Sequence, residues 1–254
     1  MTQLHTPGFI RTVMIPVVHG CDSDWSLDMA RRMAGEVVLV GLVCVPPGKP
    51  LSAGAYEARQ VRRRLRALSP GPLVKYKAQV YVSETPWNDL LAVIRHDQPD
   101  LLLIDYPCQL EALNATVDDV LTRPPCDVAL VRGPIRPHIQ RVLVPVRGGP
   151  HAELALRAGL GLHPAELVTL HLTTPHAGSD EPFRGLAQTL KNLPDVKAMS
   201  FTTDNPAQTI LDHAREADLI IMGAYGHGRV RELIVGSTTS QVLILSEVPT
   251  LLVR

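Results

Sequence analysis

The feature that most constrains the fold of this chain is that its sequence repeats itself at a nearly constant spacing. A strand-like segment containing Pro16 recurs with Pro145, which follows it by 129 positions. Asp100 precedes a run of aliphatic residues, and Asp218 precedes a second such run 118 positions later. Because self-similarity at a nearly fixed period is the sequence signature of repeated units, we predict that the chain consists of two copies of one domain.

Each copy alternates short apolar segments with segments of helical periodicity. Val37–Val45 is continuously apolar, which is typical of a strand buried on both faces of a parallel sheet. Helical segments such as Tyr56–Leu68 separate these strands. The alternation predicts a right-handed, parallel α/β fold with helices on both faces of the sheet. The Pro-rich segment at 133–138 predicts a linker, so we assign one domain to residues 1–134 and a second to residues 139–254.

A glycine-rich loop follows the aliphatic run that Asp218 precedes. Gly223, Gly226 and Gly236 are followed by hydroxyl residues at 237–239, which open a predicted helix. Glycine lets a ligand approach the backbone closely, and the N–H groups at a helix N-terminus favour an anion, so this segment suits a phosphate. The alternative is that the same hydroxyls only cap the helix, since Thr238 and Gln241 have the spacing of a capping box.

The spacing Gly223-x2-Gly226-x9-Gly236-Ser237 resembles the nucleotide-loop signature of the universal stress protein family. From residue 9 to residue 254 the whole chain resembles two such domains in tandem. The resemblance implies a five-stranded parallel sheet per domain, flavodoxin- or Rossmann-like, with strands ordered as in flavodoxin-like folds and a ligand where the strand order reverses. It also implies a cytoplasmic stress-response or signalling module that binds ATP, or ADP or AMP, with Mg²⁺ carried by the nucleotide, and that forms a homodimer.

The resemblance assigns a set of residues in the second copy to the nucleotide site. Pro145, Val146 and Leu172 would line the adenine, while backbone amides and hydroxyls between Gly226 and Thr238 would hold the phosphates. The complete set of cofactor-binding residues that we predict is Pro145, Val146, Arg147, Leu172, Met222, Gly223, Tyr225, Gly226, Gly236, Ser237, Thr238 and Thr239.

Arg147 departs from the family pattern. Relatives that bind ATP usually carry an aspartate directly after the first strand, where this chain has Arg147. The arginine either meets a phosphate of the ligand or marks a different choice of ligand.

The corresponding loop of the first copy contains no glycine. It begins at Asp105, in the place of Gly223, and it is four residues shorter: 27 positions separate Asp105 from Arg132, whereas 31 separate Gly223 from Arg254. The carboxylates of Asp105 and Glu111 would also repel a phosphate. We therefore predict that the first domain is degenerate and has a structural or partner-binding role.

The charge and hydropathy of the chain exclude two classes of partner. The formal net charge is zero, with 25 basic and 25 acidic residues, which gives no general attraction to nucleic acid or to an anionic membrane. The arginine-rich helix at 56–68 is interpreted as a solvated outer face. The longest apolar run, Val37–Val45, is too short to span a bilayer. We expect neither a nucleic-acid partner nor a membrane-spanning segment.

Motifs for other chemistry are absent from the sequence. It contains neither a Walker A motif nor a G-x-S-x-G motif, which argues against a P-loop ATPase and an α/β-hydrolase. The histidines lack the spacing of a metal site, so no metal ligand is predicted. Nothing places a general base beside the glycine loop, so we predict no catalytic residue and, at most, slow hydrolysis of ATP. The alternative function is a nucleotide-independent scaffold that binds a protein partner.

The four cysteines, Cys21, Cys44, Cys108 and Cys126, all lie in the first copy and include no C-x-x-C pair. This pattern predicts reduced thiols in a cytosolic protein. Cys44 and Cys126 fall in apolar strands and are expected to be core residues. Met1–Thr12 lacks the long apolar core of a signal peptide, which also favours a cytoplasmic location.

Overall fold

The computed structural model divides the chain into two compact units, Met1–Val131 and Arg132–Arg254. It describes residues 10–21, 23–68, 74–146, 150–173, 196–224 and 236–254. The division between the units falls three residues before residue 134, the end that the sequence predicts for the first domain. Within the described ranges, no helix has both the length and the apolar character needed to cross a lipid bilayer.

The first unit is a parallel sheet with helices between its strands. Its strands are β1 (Ile10–Val18), β2 (Ala34–Cys44), β3 (Lys75–Ser83), β4 (Leu101–Asp105) and β5 (Asp127–Arg132). Its helices are α1 (Asp24–Met33), α2 (Ala55–Ala67), α3 (Pro86–Asp97), α4 (Cys108–Leu113) and α5 (Val117–Thr122), with a 3₁₀ helix at Leu51–Gly54. The strands lie in the order β3-β2-β1-β4-β5, and the paired strands run parallel.

The second unit has the same architecture. Its strands are β6 (Arg141–Val146), β7 (Glu166–Thr173), β8 (Val196–Thr202), β9 (Leu219–Gly223) and β10 (Thr250–Val253). Its described helices are α6 (Pro150–Gly161), α7 (Pro206–Ala214) and α8 (Ser237–Leu245). The strands lie in the order β8-β7-β6-β9-β10, again parallel. The apolar periodicity of residues 182–193 also predicts a helix, and that segment lies outside the described residues.

Both units therefore confirm the predicted duplicated, parallel α/β fold. Counted within each unit, the strand order is 3-2-1-4-5. This is the order of Rossmann folds, so the flavodoxin-like order that we expected is wrong. The order reverses where Val13 of β1 pairs with Leu101 of β4, and where Val142 of β6 pairs with Leu219 of β9. A ligand of such a fold binds at the carboxyl ends of these strands.

An aspartate before the fourth strand of each unit fixes the start of the first strand. The Asp100 carboxylate accepts the backbone N–H of Thr12 at 2.8 Å, and the Asp218 carboxylate accepts that of Arg141 at 3.0 Å. The backbone N–H groups of Asp100 and Asp218 donate in return to the carbonyls of Thr12 and Arg141, at 3.0 and 2.8 Å. Thr12 and Arg141 are equivalent residues of the repeat, so the duplication extends to individual hydrogen bonds.

The first strand continues through Pro16 to Val18, although a proline in a central strand predicts that the strand ends there. Pro16 pairs in register with Val40 of β2. In a strand, the N and O atoms of one residue point to the same side, and the Pro16 carbonyl accepts the side-chain amide of Gln109 at 2.6 Å. Its missing N–H therefore faces the side of β4, where pairing covers only Val13 and Met14. No ladder hydrogen bond is lost, which is why proline is tolerated there.

Helix α2 presents its arginines outward, as the sequence predicts. Ala58, Val61 and Leu65 are buried beneath it. Four of its five arginines are exposed, namely Arg59, Arg62, Arg63 and Arg66. The fifth, Arg64, is half-buried and donates to the backbone carbonyl of Cys21 at 3.2 Å.

Candidate functional site

The carboxyl ends of β6 and β7 carry the residues that the sequence predicts to line an adenine. Pro145 pairs with Leu170 and Val146 pairs with His171, which places Leu172 next to them at the end of β7. Val146 is buried, whereas Pro145 and Leu172 are half-buried. The three apolar residues therefore lie at one edge of the sheet, beside the point where the strand order reverses.

Strand β9 reaches the same edge with Met222 and Gly223. A β-carbon on Gly223 would lie 2.9 Å from the Cβ of His151 and 3.0 Å from its carbonyl carbon. These distances are shorter than carbon atoms approach without a bond. Glycine at 223 therefore lets the first turn of α6 pack directly against β9, as a glycine does in dinucleotide-binding folds. Packing of the helix therefore explains why residue 223 is a glycine, and no bound ligand is needed to explain it.

Gly236 precedes α8 and has a different environment. Its φ of −52° and ψ of 145° are accessible to any residue, so the backbone conformation does not require glycine. Among the described atoms, none lies within 4 Å of the position that a β-carbon would occupy. The absence of a side chain at Gly236 thus leaves an open approach to the backbone at the start of a helix.

The first turn of α8 supplies hydrogen-bond donors at this position. The Gly236 carbonyl accepts the N–H of Ser240 at 2.9 Å, which is the first hydrogen bond of the helix. The predicted capping box of Thr238 and Gln241 is wrong, because Ser237 is already helical and Thr238 lies inside the first turn. The N–H groups of a first turn have no partner within their own helix and lie at its positive end, so they suit an anion.

The hydroxyl residues of this turn differ in exposure. Ser237 is exposed, Thr238 is half-buried and Thr239 is buried. Ser237 and Thr238 can therefore offer hydroxyl groups to a ligand, whereas Thr239 packs inward. Of the predicted site residues, Arg147, Tyr225 and Gly226 lie outside the described residues.

In the first unit, the position equivalent to Gly223 is filled by a buried carboxylate. Asp105 is 4% exposed. Its carboxylate accepts the backbone N–H groups of Ser26, at 2.7 Å, and Trp25, at 3.2 Å, as well as the Ser26 hydroxyl. Burial raises the pKa of Asp105 to about 6, against the lowering effect of these hydrogen bonds. The first turn of α1 thus already holds an acidic group from its own chain.

The Gln109 side chain links the carboxyl ends of β1 and β4 in the first unit. Its side-chain amide donates to the Pro16 carbonyl at 2.6 Å and to the Ser23 hydroxyl at 2.8 Å. Its side-chain oxygen accepts the backbone N–H of Asp105 at 2.8 Å. The side chain is fully buried and satisfied. Sequence reasoning missed this residue, since a lone glutamine in a loop-like segment carries no signal of its own.

Two of the four cysteines form a disulfide, which corrects the expectation of four reduced thiols. Cys21, after β1, is bonded to Cys108, at the start of α4. Cys44 and Cys126 are free thiols. The expectation that both of these are core residues is wrong, because Cys44 is exposed and Cys126 is half-buried. Cys21 and Cys108 are 87 positions apart in the sequence, so only the fold brings them together.

Comparisons with known proteins relate the second unit to one protein family. Residues 138–254 match the model of the Universal stress protein family. A universal stress protein of Synechocystis sp. (strain ATCC 27184 / PCC 6803 / Kazusa) is 42% identical over 57 residues, which cover 18% of this chain and 20% of the relative. The match thus spans about a fifth of that relative's length.

Solved structures share the fold of the whole chain. A universal stress protein from Archaeoglobus fulgidus DSM 4304 superposes with a TM-score of 0.66 at 15% identity, and the match covers 95% of each chain. A functionally unknown protein from Pseudomonas aeruginosa PAO1 superposes with a TM-score of 0.60 at 17% identity, covering 96% of this chain and 92% of the other. At these identities the likeness concerns the fold, and it extends over both units.

Proposed function

Because residues 138–254 of this chain form a domain of the universal stress protein family, we propose that the second unit binds ATP, or ADP or AMP. The observation that carries the proposal is the open backbone at Gly236, at the N-terminus of α8. The described structure offers a phosphate two matched features there: donors from the first helical turn and no side chain in the way.

We assign the base of the nucleotide to the carboxyl ends of β6 and β7. Pro145, Val146 and Leu172 form an apolar edge beside the strand-order reversal, which suits the flat face of an adenine. The hydroxyls of Ser237 and Thr238 can donate hydrogen bonds to phosphate oxygens, or their oxygens can coordinate a metal that the nucleotide carries. Mg²⁺ would arrive bound to the phosphates, since it keeps most of its water and rarely depends on an all-protein cage.

The proposed role is binding in a stress-response or signalling module. Phosphate-holding groups such as backbone amides and hydroxyls position a nucleotide, but efficient hydrolysis also needs a group that orients the attacking water. We therefore propose that bound ATP is hydrolysed slowly if at all, and that the bound nucleotide changes the surface offered to a partner.

A matched pair of variants on α8 tests the site. Gly236→Ala should fold normally, because its backbone angles are ordinary and the space is open, yet its methyl group would obstruct a phosphate. We expect Mg-ATP affinity to fall at least about tenfold, the equivalent of ~1.4 kcal/mol. Gln241→Ala, at an exposed position one turn further along the helix, is the control and should bind as the parent does. Equal affinities in all three proteins would contradict the proposal.

A nucleotide-independent scaffold is the second candidate function. The contact between Gly223 and His151 favours it, because that glycine is explained by helix packing alone. If the scaffold function is correct, Mg-ATP will show no binding to the parent protein, and Gly236→Ala will change neither stability nor partner binding.

A further inference from the structure

The disulfide of the first unit joins two segments that follow different strands. Cys21 lies three residues beyond the end of β1, and Cys108 lies three residues beyond the end of β4. Their Cα atoms are 6.2 Å apart, within the range that a disulfide spans. The bond therefore ties together the two strand ends between which the strand order of this unit reverses.

The two cysteine residues differ in their exposure to solvent. Cys21 is only 2% exposed, whereas Cys108 is exposed. We propose that Cys21 and Cys108 are a reversible thiol–disulfide pair that locks the carboxyl-end surface of the first unit. In this pair Cys108 exchanges with small disulfides in solution, and the buried Cys21 completes the internal bond.

The locked segments take part in contacts that reach into the unit. Next to Cys108, the Gln109 side chain bonds to the Pro16 carbonyl and the Ser23 hydroxyl. The Cys21 carbonyl accepts the Arg64 guanidinium of α2 at 3.2 Å. Opening the disulfide would remove the covalent link between the segment after β1 and the start of α4, leaving non-covalent contacts such as these hydrogen bonds to hold the surface closed.

A cavity lies beside the locked segment. It has a volume of about 170 Å³ and is lined by residues that include Val18, Gly20, Gln60 and Arg64. Gly20 is adjacent to Cys21, so one wall of the cavity is held in place by the disulfide. Reduction would therefore change access to this cavity as well as the exposure of the closed strand ends.

The proposed exchange balances with a small disulfide as oxidant. The Cys108 thiolate attacks one sulfur of oxidised glutathione, so that a mixed disulfide forms and one glutathione thiolate leaves. The Cys21 thiolate then attacks the Cys108 sulfur, which forms the internal disulfide and releases the second glutathione thiolate. The two cysteine sulfurs are oxidised and the glutathione disulfide is reduced, and the two protons lost by the cysteines are taken up, through the solvent, by the two glutathione thiolates.

The other two thiols, Cys44 and Cys126, can be removed so that a test reports only on the proposed pair. Burial is the main cause that raises the pKa of Cys126, to about 11, and partial burial of the Cys44 thiol raises its pKa although the residue as a whole is exposed. A raised pKa makes a thiol a weaker nucleophile at neutral pH. The double variant Cys44→Ser/Cys126→Ser leaves only the proposed pair. The parent protein, with alkylated cysteines located by peptide mass, is measured in parallel to show that these serines do not alter the pair.

The experiment equilibrates both proteins with mixtures of reduced and oxidised glutathione and then alkylates the free thiols under denaturing conditions. We expect no alkylated sites in the double variant under oxidising mixtures and two under reducing mixtures, with the transition inside the range that glutathione can buffer. A pair that stays reduced in excess oxidised glutathione would overturn the proposal. A pair that stays oxidised in excess reduced glutathione, even after unfolding and refolding, would show a purely structural bond and would also overturn it.

Hydrogen exchange tests the lock itself. Backbone amides at 19–26 and 105–113 should exchange at least several-fold faster after reduction of the parent protein. The variant Cys21→Ser/Cys108→Ser should exchange at the fast rate in either redox state. Unchanged exchange on reduction would overturn the claim that the bond holds this surface closed.

Discussion

The carboxylate of Asp105 accepts the backbone N–H of Ser26 at 2.7 Å, in the first turn of α1. At the equivalent junction of the second unit, Gly223 has no side chain and the backbone of His151 packs against it directly. The two copies thus connect the fourth strand to the first helix in different ways: one with a buried acidic group and the other by close contact. Both junctions are therefore occupied by the chain's own atoms, and the anion site that we propose for the second unit lies at Gly236 rather than at Gly223.

Asp105 predicts a specific dependence of stability on pH. Its pKa is raised from 3.8 to about 6, chiefly by burial, so the folded state binds the proton more tightly than the unfolded state does. The stability that the protonated carboxyl provides is therefore complete below about pH 4 and is lost as the pH rises through about 6. The difference between these two pKa values corresponds to about 3 kcal/mol of stability.

Asp105→Asn tests this dependence because the amide keeps an acceptor oxygen but does not ionise. We expect the free energy of unfolding of the parent, relative to the variant, to fall by about 3 kcal/mol between pH 4 and pH 7 in urea titrations. Glu84→Gln, at an exposed position of the same unit, is the control and should follow the parent at every pH. A parent and Asp105→Asn that respond identically to pH would show that Asp105 is not buried as described.

Gly223 and Gly236 should respond oppositely to the same substitution. At Gly223 the added methyl group would meet the His151 backbone, so Gly223→Ala should destabilise the protein by ~1–3 kcal/mol. At Gly236 the methyl group meets open space and the backbone angles suit alanine, so Gly236→Ala should be neutral or stabilising by up to ~1 kcal/mol. Urea unfolding measures both, and equal destabilisation would contradict the assigned roles.

Asp218 should stabilise the second unit at neutral pH. Burial by itself raises the pKa of its carboxyl, but hydrogen bonds from the backbone N–H groups of Arg141 and Gln140, and the Arg136 guanidinium at 2.6 Å, lower it overall. Because the folded pKa is depressed, the contribution is present above the unfolded value and is lost as the pH falls below about 4.

Asp218→Asn removes this contribution. We expect a loss of ~1–3 kcal/mol in the free energy of unfolding at pH 7 and a smaller loss in acid. Asp204→Asn, at an exposed position of the same unit, serves as the comparison and should cost little. If the loss in the free energy of unfolding does not become smaller as the pH is lowered, the charge of Asp218 does not account for its contribution to stability.

The fold was predictable from the sequence because its periodic signals are local and are repeated. The duplication around Pro16 and Pro145, together with strands such as Val37–Val45, predicts a parallel α/β sheet in each half. The continuation of β1 through Pro16 was not predictable, because proline is excluded from a central strand unless the hydrogen-bonded pairing has ended on the side that its missing N–H would face. That condition depends on how far β4 pairs with β1, which is a tertiary fact.

The site was predictable in part. The glycine spacing identified the strand-to-helix connection, but a sequence does not distinguish a glycine that admits a ligand from one that admits a helix. Gly236 has the open environment of the first kind, and Gly223 has the crowded environment of the second. The pairing of Cys21 with Cys108 and the burial of Gln109 depend on strand ends that meet only in the folded structure. No local sequence pattern therefore predicts them.

The number of nucleotides bound per chain tests the central claim most directly. The measurement is a calorimetric titration of Mg-ATP into protein that has been unfolded to release any bound ligand and then refolded. We predict one nucleotide per chain, because Asp105 and Gln109 fill the strand ends of the first unit, whereas among the described atoms of the second unit the backbone at Gly236 is open. A ratio of zero would contradict the nucleotide site, and a ratio of two would contradict the closure of the first unit.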